Sequence, residues 1–257
     1  MISSSDNKQV KNVVLLNNNG KARKKQKVFI VEGIRMFSEV EAERIVSVFV
    51  SESFALEKAN ENLLAKVHYE VVEDKIFNKM SDAQTPQGIL AIVQKKEYSM
   101  EDMILPGNQS CILFLEGIQD PGNLGTMIRT GEGAGISGVI MSKDTVDLFN
   151  PKTIRSTMGS IYRVPHLVSD DFLGCILEFQ KKGGRVYATH LLGKYEYQEL
   201  DYAKMTGILI GNEGNGLTKE VVEQADELVR IPMEGQVESL NASIAAALFM
   251  YEVKRKK

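Results

Sequence analysis

The chain has 257 residues, 31 basic and 34 acidic side chains, a net charge of −3 and 43% hydrophobic residues. This is the composition of a soluble globular protein with room for two domains or one large α/β domain. No apolar run approaches the roughly 20 residues of a membrane helix, and the three histidines (His68, His166, His190) lack zinc-site spacing, so no metal is expected.

The N-terminus, MISSSDNKQVKN, has no apolar core of a signal peptide and reads as cytoplasmic. Cys111 and Cys175 sit in apolar segments and read as reduced core thiols. The charge is unevenly distributed. The first 30 residues hold Lys8, Lys11, Lys21, Arg23, Lys24, Lys25 and Lys27 against one acid, Asp6. Such a cluster can follow phosphates even on an acidic protein, Lys24 and Lys25 being its centre; a plain solvated segment is the equal alternative.

Hydrophobic periodicity predicts a strand over Val28–Glu32 and a helix over Gly33–Glu43 carrying Ile34, Phe37 and Val40 on one face. Strands follow at Ile45–Ser51 and Val67–Val72, then a short helix at Asp74–Met80, a turn at Thr85–Gly88 and a strand at Gly88–Gln94. The charged segment Lys95–Ser110, with Pro106-Gly107, reads as a linker, giving a small α/β domain over residues 1–97, a linker over 98–110 and a second domain over 111–257. In that second domain strands are predicted at Cys111–Leu115, Gly138–Met141, Arg185–Thr189, Gly207–Ile210 and Glu227–Ile231. Helices are predicted from about Asn123, at Asp171–Gln180, Leu217–Gln224 and Asn241–Val253. Apolar strands alternating with helices indicate a largely parallel sheet covered on both faces.

Four segments carry candidate chemistry. In DPGNLGTMIRTGEGAG, residues Leu124, Met127, Ile128, Gly131 and Ala134 form one core-facing stripe, which leaves Arg129 off it, toward the loops. A guanidinium there suits forked bonds to phosphate, or an ordinary ion pair; Asn123 reads first as a helix cap. Gly131, Gly133 and Gly135 lie inside or at the end of the helix, which excludes a dinucleotide fingerprint. In NPKTIRSTMGSIYRVP, Arg155, Ser156 and Gly159 occupy a helix-to-strand transition with Lys152 and Arg163 nearby. In Gly211–Gly216 no lysine follows the last glycine, so a P-loop fails. What remains is a glycine loop at the carboxyl end of a strand, where ligands gather in open α/β sheets. The fourth segment, IPMEGQVESLNASIAAALFMY, runs from a strand end into a helix apolar on nearly every face, with Ser239, Asn241 and Ser243 at its mouth and Ser239 or Asn241 available as cap.

Three of these segments, in this order, resemble the motifs of the SpoU (TrmH-like) RNA ribose 2′-O-methyltransferases of the SPOUT superfamily. They are Asn123-x-Gly125-x-x-x-Arg129-Thr130, Ile210-Gly211-Asn212-Glu213-Gly214-x-Gly216-Leu217, and Ile231-Pro232-Met233-x-Gly235-x-x-x-Ser239-Leu240-Asn241-x-Ser243. The resemblance covers about residues 111–257. Phe29–Gly33 and Gln87-Gly88 more briefly resemble the family's ribosomal-protein-like substrate-binding domain. Gly131 departs from the family, where alanine commonly follows the Arg-Thr pair.

The resemblance implies a trefoil-knotted α/β domain, a homodimer, and S-adenosylmethionine as methyl donor without a metal. It implies that Gly211, Ile231 and Leu240 hold the adenosine through main-chain groups, with Leu209, Asn212, Glu213, Gly216, Met233 and Ser239 completing the pocket. Arg129 is implied as the key catalytic residue, with Asn123, Ser239 and Asn241 orienting it and the ribose, and Arg155 and Ser156 beside Lys24, Lys25 and Arg129 at the RNA. A base role for an arginine is costly, since the side chain titrates at about 12.5–13.8; anchoring a phosphate and stabilising an alkoxide is physically easier. The expected substrate is ribosomal RNA, the alternatives being transfer RNA or a non-catalytic RNA-binding protein of the same fold.

Overall fold

In the computed structural model, which describes residues 1–105 and 109–256, the apolar strands gather into two separate sheets. Met1–Lys96 together with Phe149–Tyr162 form one unit; Glu97–Leu148 with Arg163–Lys257 form the other. Among the described residues no helix is long and apolar enough to cross a membrane.

The first unit holds α1 (Lys8–Asn18), α2 (Gly20–Gln26), β1 (Val28–Glu32), α3 (Ile34–Ser38), β2 (Ile45–Ser51), α4 (Glu52–Leu56), α5 (Glu61–Leu64), β3 (Glu70–Val72), α6 (Asp74–Met80) and β4 (Ile89–Gln94). Its sheet runs β1-β4-β2-β3, with β4 antiparallel to both neighbours and β2–β3 parallel. Successive strand residues face opposite sides. Val28 and Ile30 join Val10, Val13 and Leu16 of α1 and Ile76 and Phe77 of α6 in one core cluster. The intervening Phe29 packs at a tilt against Phe149, with ring centroids 4.9 Å apart, and against Tyr162.

The basic N-terminal segment is therefore structured: Asn7 and Asn19 cap α1 and α2 through their side chains. Arg23 is buried and donates to the carbonyls of Leu16 and Asn17 at the end of α1, so it closes a helix and faces no phosphate. The helix expected over Gly33–Glu43 stops at Ser38, whose hydroxyl bonds back to the Ile34 carbonyl at 2.7 Å, and a 3₁₀ turn follows at Ala42–Arg44.

The second unit contains β5 (Ser110–Leu115), α7 (Pro121–Ala134), β6 (Gly138–Ser142), β7 (His166–Ser169), α9 (Phe172–Lys181), β8 (Arg185–Thr189), β9 (Tyr195–Glu196), β10 (Met205–Ile210), α10 (Lys219–Val222), β11 (Glu227–Arg230) and α11 (Ala242–Arg255). The helix α8 (Pro151–Thr157) falls in Phe149–Tyr162 and packs on β1 of the first unit. The second sheet runs β7-β6-β5-β10-β8-β11-β9, with every neighbouring pair parallel. Residues Ile112, Phe114, Val186 and Leu209 of one face pack with Ile176 and Phe179 of α9. Helix α11 packs on α7 and β10. Residues 98–105, expected to be linker, deliver Met100 and Met103 to this core, and Met103 fills the space that the absent side chain of Gly138 leaves. Pro106 and Gly107 lie outside the described residues.

Candidate active site

Strands β5, β10, β8 and β11 are consecutive in the sheet and parallel, so the loops leaving their carboxyl ends meet at one edge. The β5 loop enters α7 through Asp120, whose Oδ1 accepts the Asn123 N–H at 2.8 Å, with Pro121 in the first turn. Asp120, and not Asn123, is thus the cap. The Asn123 side chain is left for other partners: its Nδ2 donates to Glu213 at 3.0 Å and its Oδ1 accepts from Asn241 Nδ2 at 2.9 Å. Asn241 in turn caps α11, its Oδ1 accepting from the Ser243 N–H at 2.9 Å and the Ser243 hydroxyl at 2.6 Å. Each amide orientation is determined by its neighbours along this chain.

Glu213 ties the β10 loop to the start of α7. Its carboxylate accepts from the N–H groups of Gln119 (3.0 Å) and Asp120 (3.2 Å) as well as from Asn123. Burial works against the charge, but the bonds from Asn123, Gln119 and Asp120 outweigh it and hold the carboxyl below the usual range. Asn212 donates to the Gly117 carbonyl at 2.7 Å and accepts from the N–H groups of Gly214 and Asn215, while its backbone pairs with Gly216. Gly216 adopts φ +70°, and a Cβ on Gly211 would collide with the Gly216–Leu217 peptide. These glycines are demanded by the loop's own fold, ahead of any ligand.

Between the β10 loop, the β11 loop and the start of α11 lies a cavity of about 560 Å³. Of the nine residues expected at a donor, Gly211, Asn212, Glu213, Gly216, Ile231, Met233, Ser239 and Leu240 line it. Leu209 does not; it is fully buried in the sheet core. Wall residues that the motifs did not point to include Thr189, His190, Leu191 and Leu192 at the end of β8, Glu238 before α11, and Ala242, Ala245 and Phe249 of α11. Only the prediction of a strand ending at Thr189 hinted at the first group; the HLLG stretch itself carries no recognisable spacing.

The other expected residues lie outside the cavity. Arg129 is exposed six residues beyond Asn123 on α7, and its side chain makes no hydrogen bond or ion pair with a described residue. Lys24 and Lys25 are exposed in the last turn of α2, in the first unit. Arg155 and Ser156 also belong to that unit, inside α8: Arg155 pairs with Asp82 at 2.6 Å, and the Ser156 hydroxyl bonds back to the Lys152 carbonyl.

The SpoU rRNA Methylase family model matches residues 110–251, and an MRM3-like substrate binding domain matches residues 7–91. The chain is 31% identical to the 23S rRNA (guanosine(2553)-2′-O)-methyltransferase RlmP of Bacillus subtilis, over 98% of both chains. Among solved structures it is similar to an AdoMet-bound rRNA methyltransferase from Sinorhizobium meliloti (TM-score 0.83, 30% identity, 99% of this chain and 97% of that one). It is likewise similar to the SpoU methyltransferase AviRb from Streptomyces viridochromogenes in complex with AdoMet (TM-score 0.87, 25% identity, 97% of each chain). With the family match spanning more than half of its length, two motif loops lining one cavity and the first motif hydrogen-bonded to both through Asn123, the chain belongs to the SpoU rRNA methylase family.

Proposed function

We propose that this protein transfers a methyl group from S-adenosylmethionine to the 2′-hydroxyl of a ribose in ribosomal RNA. The observation that carries the reading is the juxtaposition of the 560 Å³ cavity with the hydrogen-bonded chain Glu213–Asn123–Asn241 at its rim. The cavity fits the donor. Gly211, Ile231 and Leu240 line it and have main-chain groups to offer an adenine edge, while Met233, Leu217 and Phe249 offer apolar surface. Bound there, the donor supplies an electrophilic methyl on a sulfonium, a good leaving group. The rest is alignment and charge. Asn123 and Asn241 are held at fixed angles to orient the ribose, and Ser239, in the cavity wall without a partner among the described residues, completes that end. Arg129 anchors the neighbouring phosphate and stabilises negative charge developing on the ribose oxygen, with proton removal its second role.

The finer features follow the same reading. Residues 1–97, with Lys24 and Lys25, and the inserted Phe149–Tyr162, with Arg155 and Ser156, bind the RNA, and the remainder of residues 111–257 forms the methyltransferase domain, knotted as in its family. Two copies associate through α11, supported by the exposed Ile244 and Tyr251 on that helix. The enzyme works in the cytoplasm, where the RNA is. The full-length likeness to a relative named for 23S rRNA supports ribosomal over transfer RNA. The test is incubation with methyl-labelled donor and ribosomal RNA lacking the modification, followed by mapping. Label on one 2′-O-methylated ribose is expected; label on a base, or none despite bound donor, overturns the proposal.

A further inference from the structure

The cavity wall contains three ionisable side chains, Glu213, Glu238 and His190, and no lysine or arginine. Two of the three are committed. Glu213 holds the three N–H groups described above. His190 Nδ1 accepts the Leu192 N–H at 3.1 Å, which occupies that nitrogen's lone pair and fixes the turn at the end of β8. Glu238 differs: its carboxylate makes no hydrogen bond or ion pair with a described residue, and the residue, exposed and next to Ser239 in the chain, is part of the cavity lining.

An uncommitted carboxylate among mostly apolar wall residues projects a negative potential into that space, partly screened here because Glu238 is exposed. Covering it with a neutral ligand costs desolvation, whereas a cation offsets that cost. The methyl donor and its spent product share the adenosine and amino-acid ends. They differ in one respect: when the methyl moves to the ribose oxygen, which loses its proton, the C–S bonding pair stays on sulfur and the sulfonium becomes a neutral thioether. If the ribose sits at Ser239, as the proposed function has it, the sulfur would face that end of the cavity, and Glu238 is the residue next to Ser239 in the chain.

Resting on the donor-binding reading above, we propose that Glu238 is a specificity-determining residue that makes the cavity prefer the cationic donor over the neutral-sulfur product, so that transfer itself weakens the hold on what remains. The test is calorimetric binding of S-adenosylmethionine, S-adenosylhomocysteine and sinefungin, an amine analogue that keeps a positive charge near the sulfonium position. Glu238→Gln is expected to weaken the donor and sinefungin about three- to tenfold, the scale of one partly screened charge pair, and the homocysteine product less than twofold. Glu238→Asp restores most of the difference. On the unaltered protein, added salt weakens the donor and sinefungin more than the product. Equal losses for all three ligands place the carboxylate at the shared amino-acid end and overturn the proposal, as does no loss at all. An unaltered protein that binds none of the three overturns the donor reading itself.

Discussion

Glu213 accepts hydrogen bonds from three groups of the segment joining β5 to α7, and its depressed carboxyl makes that joint sensitive to pH. A group whose folded value lies below its ordinary 4.5 contributes stability that is complete above the ordinary value and fades as pH falls through the folded one. Glu213→Gln replaces an acceptor-only carboxylate with an amide that turns a donor toward N–H groups. It is expected to lower unfolding stability by about 1 kcal/mol at pH 7, after allowance for solvent screening. Urea titrations of both proteins should show the gap narrowing as pH falls below the ordinary 4.5; a gap that does not change with pH would mean the joint depends on shape and not on charge. Arg129 poses the opposite case, since it does not line the cavity and its side chain makes no hydrogen bond or ion pair among the described residues. Arg129→Lys keeps the charge but loses the fork, and methyl transfer should drop about 10²-fold with donor affinity unchanged. Single-turnover rates and donor titration separate the two; a parallel fall in affinity would move Arg129 into the donor site.

At the scale of elements, α7 and α11 run side by side, and glycines of α7 face α11. A Cβ on Gly131 would meet Ile136, Cγ1 at 2.9 Å, and approach Met250 Sδ at 3.4 Å; one on Gly133 would sit 3.2 Å from the Tyr251 hydroxyl. Gly131, which departs from the family's usual alanine, therefore has a packing reason. Gly131→Ala gains about 1 kcal/mol of helix propensity but overpacks a buried contact, which costs about 1–3 kcal/mol. The expected outcome is a net loss near 1 kcal/mol in thermal unfolding, and a more stable variant would show that Ile136 has room to turn. The core stripe of α7 was legible because Leu124, Met127, Ile128, Gly131 and Ala134 repeat at helical spacing, and all are buried. Helices α1 and α2 were not, because the buried apolar side chains of α1, Val10, Val13 and Leu16, stand beside buried Asn17 and among lysines and further asparagines, and α2 buries only Arg23. Their marks were the caps Asn7 and Asn19, which look like ordinary loop residues without the helices behind them. The burial of Arg23 was beyond reach, since it depends on where the end of α1 points.

The whole molecule shows the limit of contiguous reading. Loops of the site could be found in the chain because each carries its own fixed spacing, whereas the wall at Thr189–Leu192 joins them only through the sheet order β10-β8-β11. Phe149–Tyr162 is the larger case: it lies between two strands of the second sheet in sequence but completes the first unit. Its Phe149 and Tyr162 rings flank Phe29, which is fully buried, and the Tyr162 hydroxyl donates to the Met36 carbonyl at 3.1 Å. The MRM3-like match over residues 7–91 leaves this segment out. A fragment of residues 1–96 should therefore be an incomplete domain. It exposes Phe29 and one face of β1, a change comparable to truncating a core aromatic, about 3 kcal/mol or more. The same fragment with residues 149–162 joined through a flexible glycine-serine linker should regain a cooperative urea transition at higher midpoint, and the substitution Tyr162→Ala in it should reverse part of the gain. If residues 1–96 unfold as cooperatively and at the same midpoint as the joined protein, Phe149–Tyr162 is a passenger on the first unit and not part of its core.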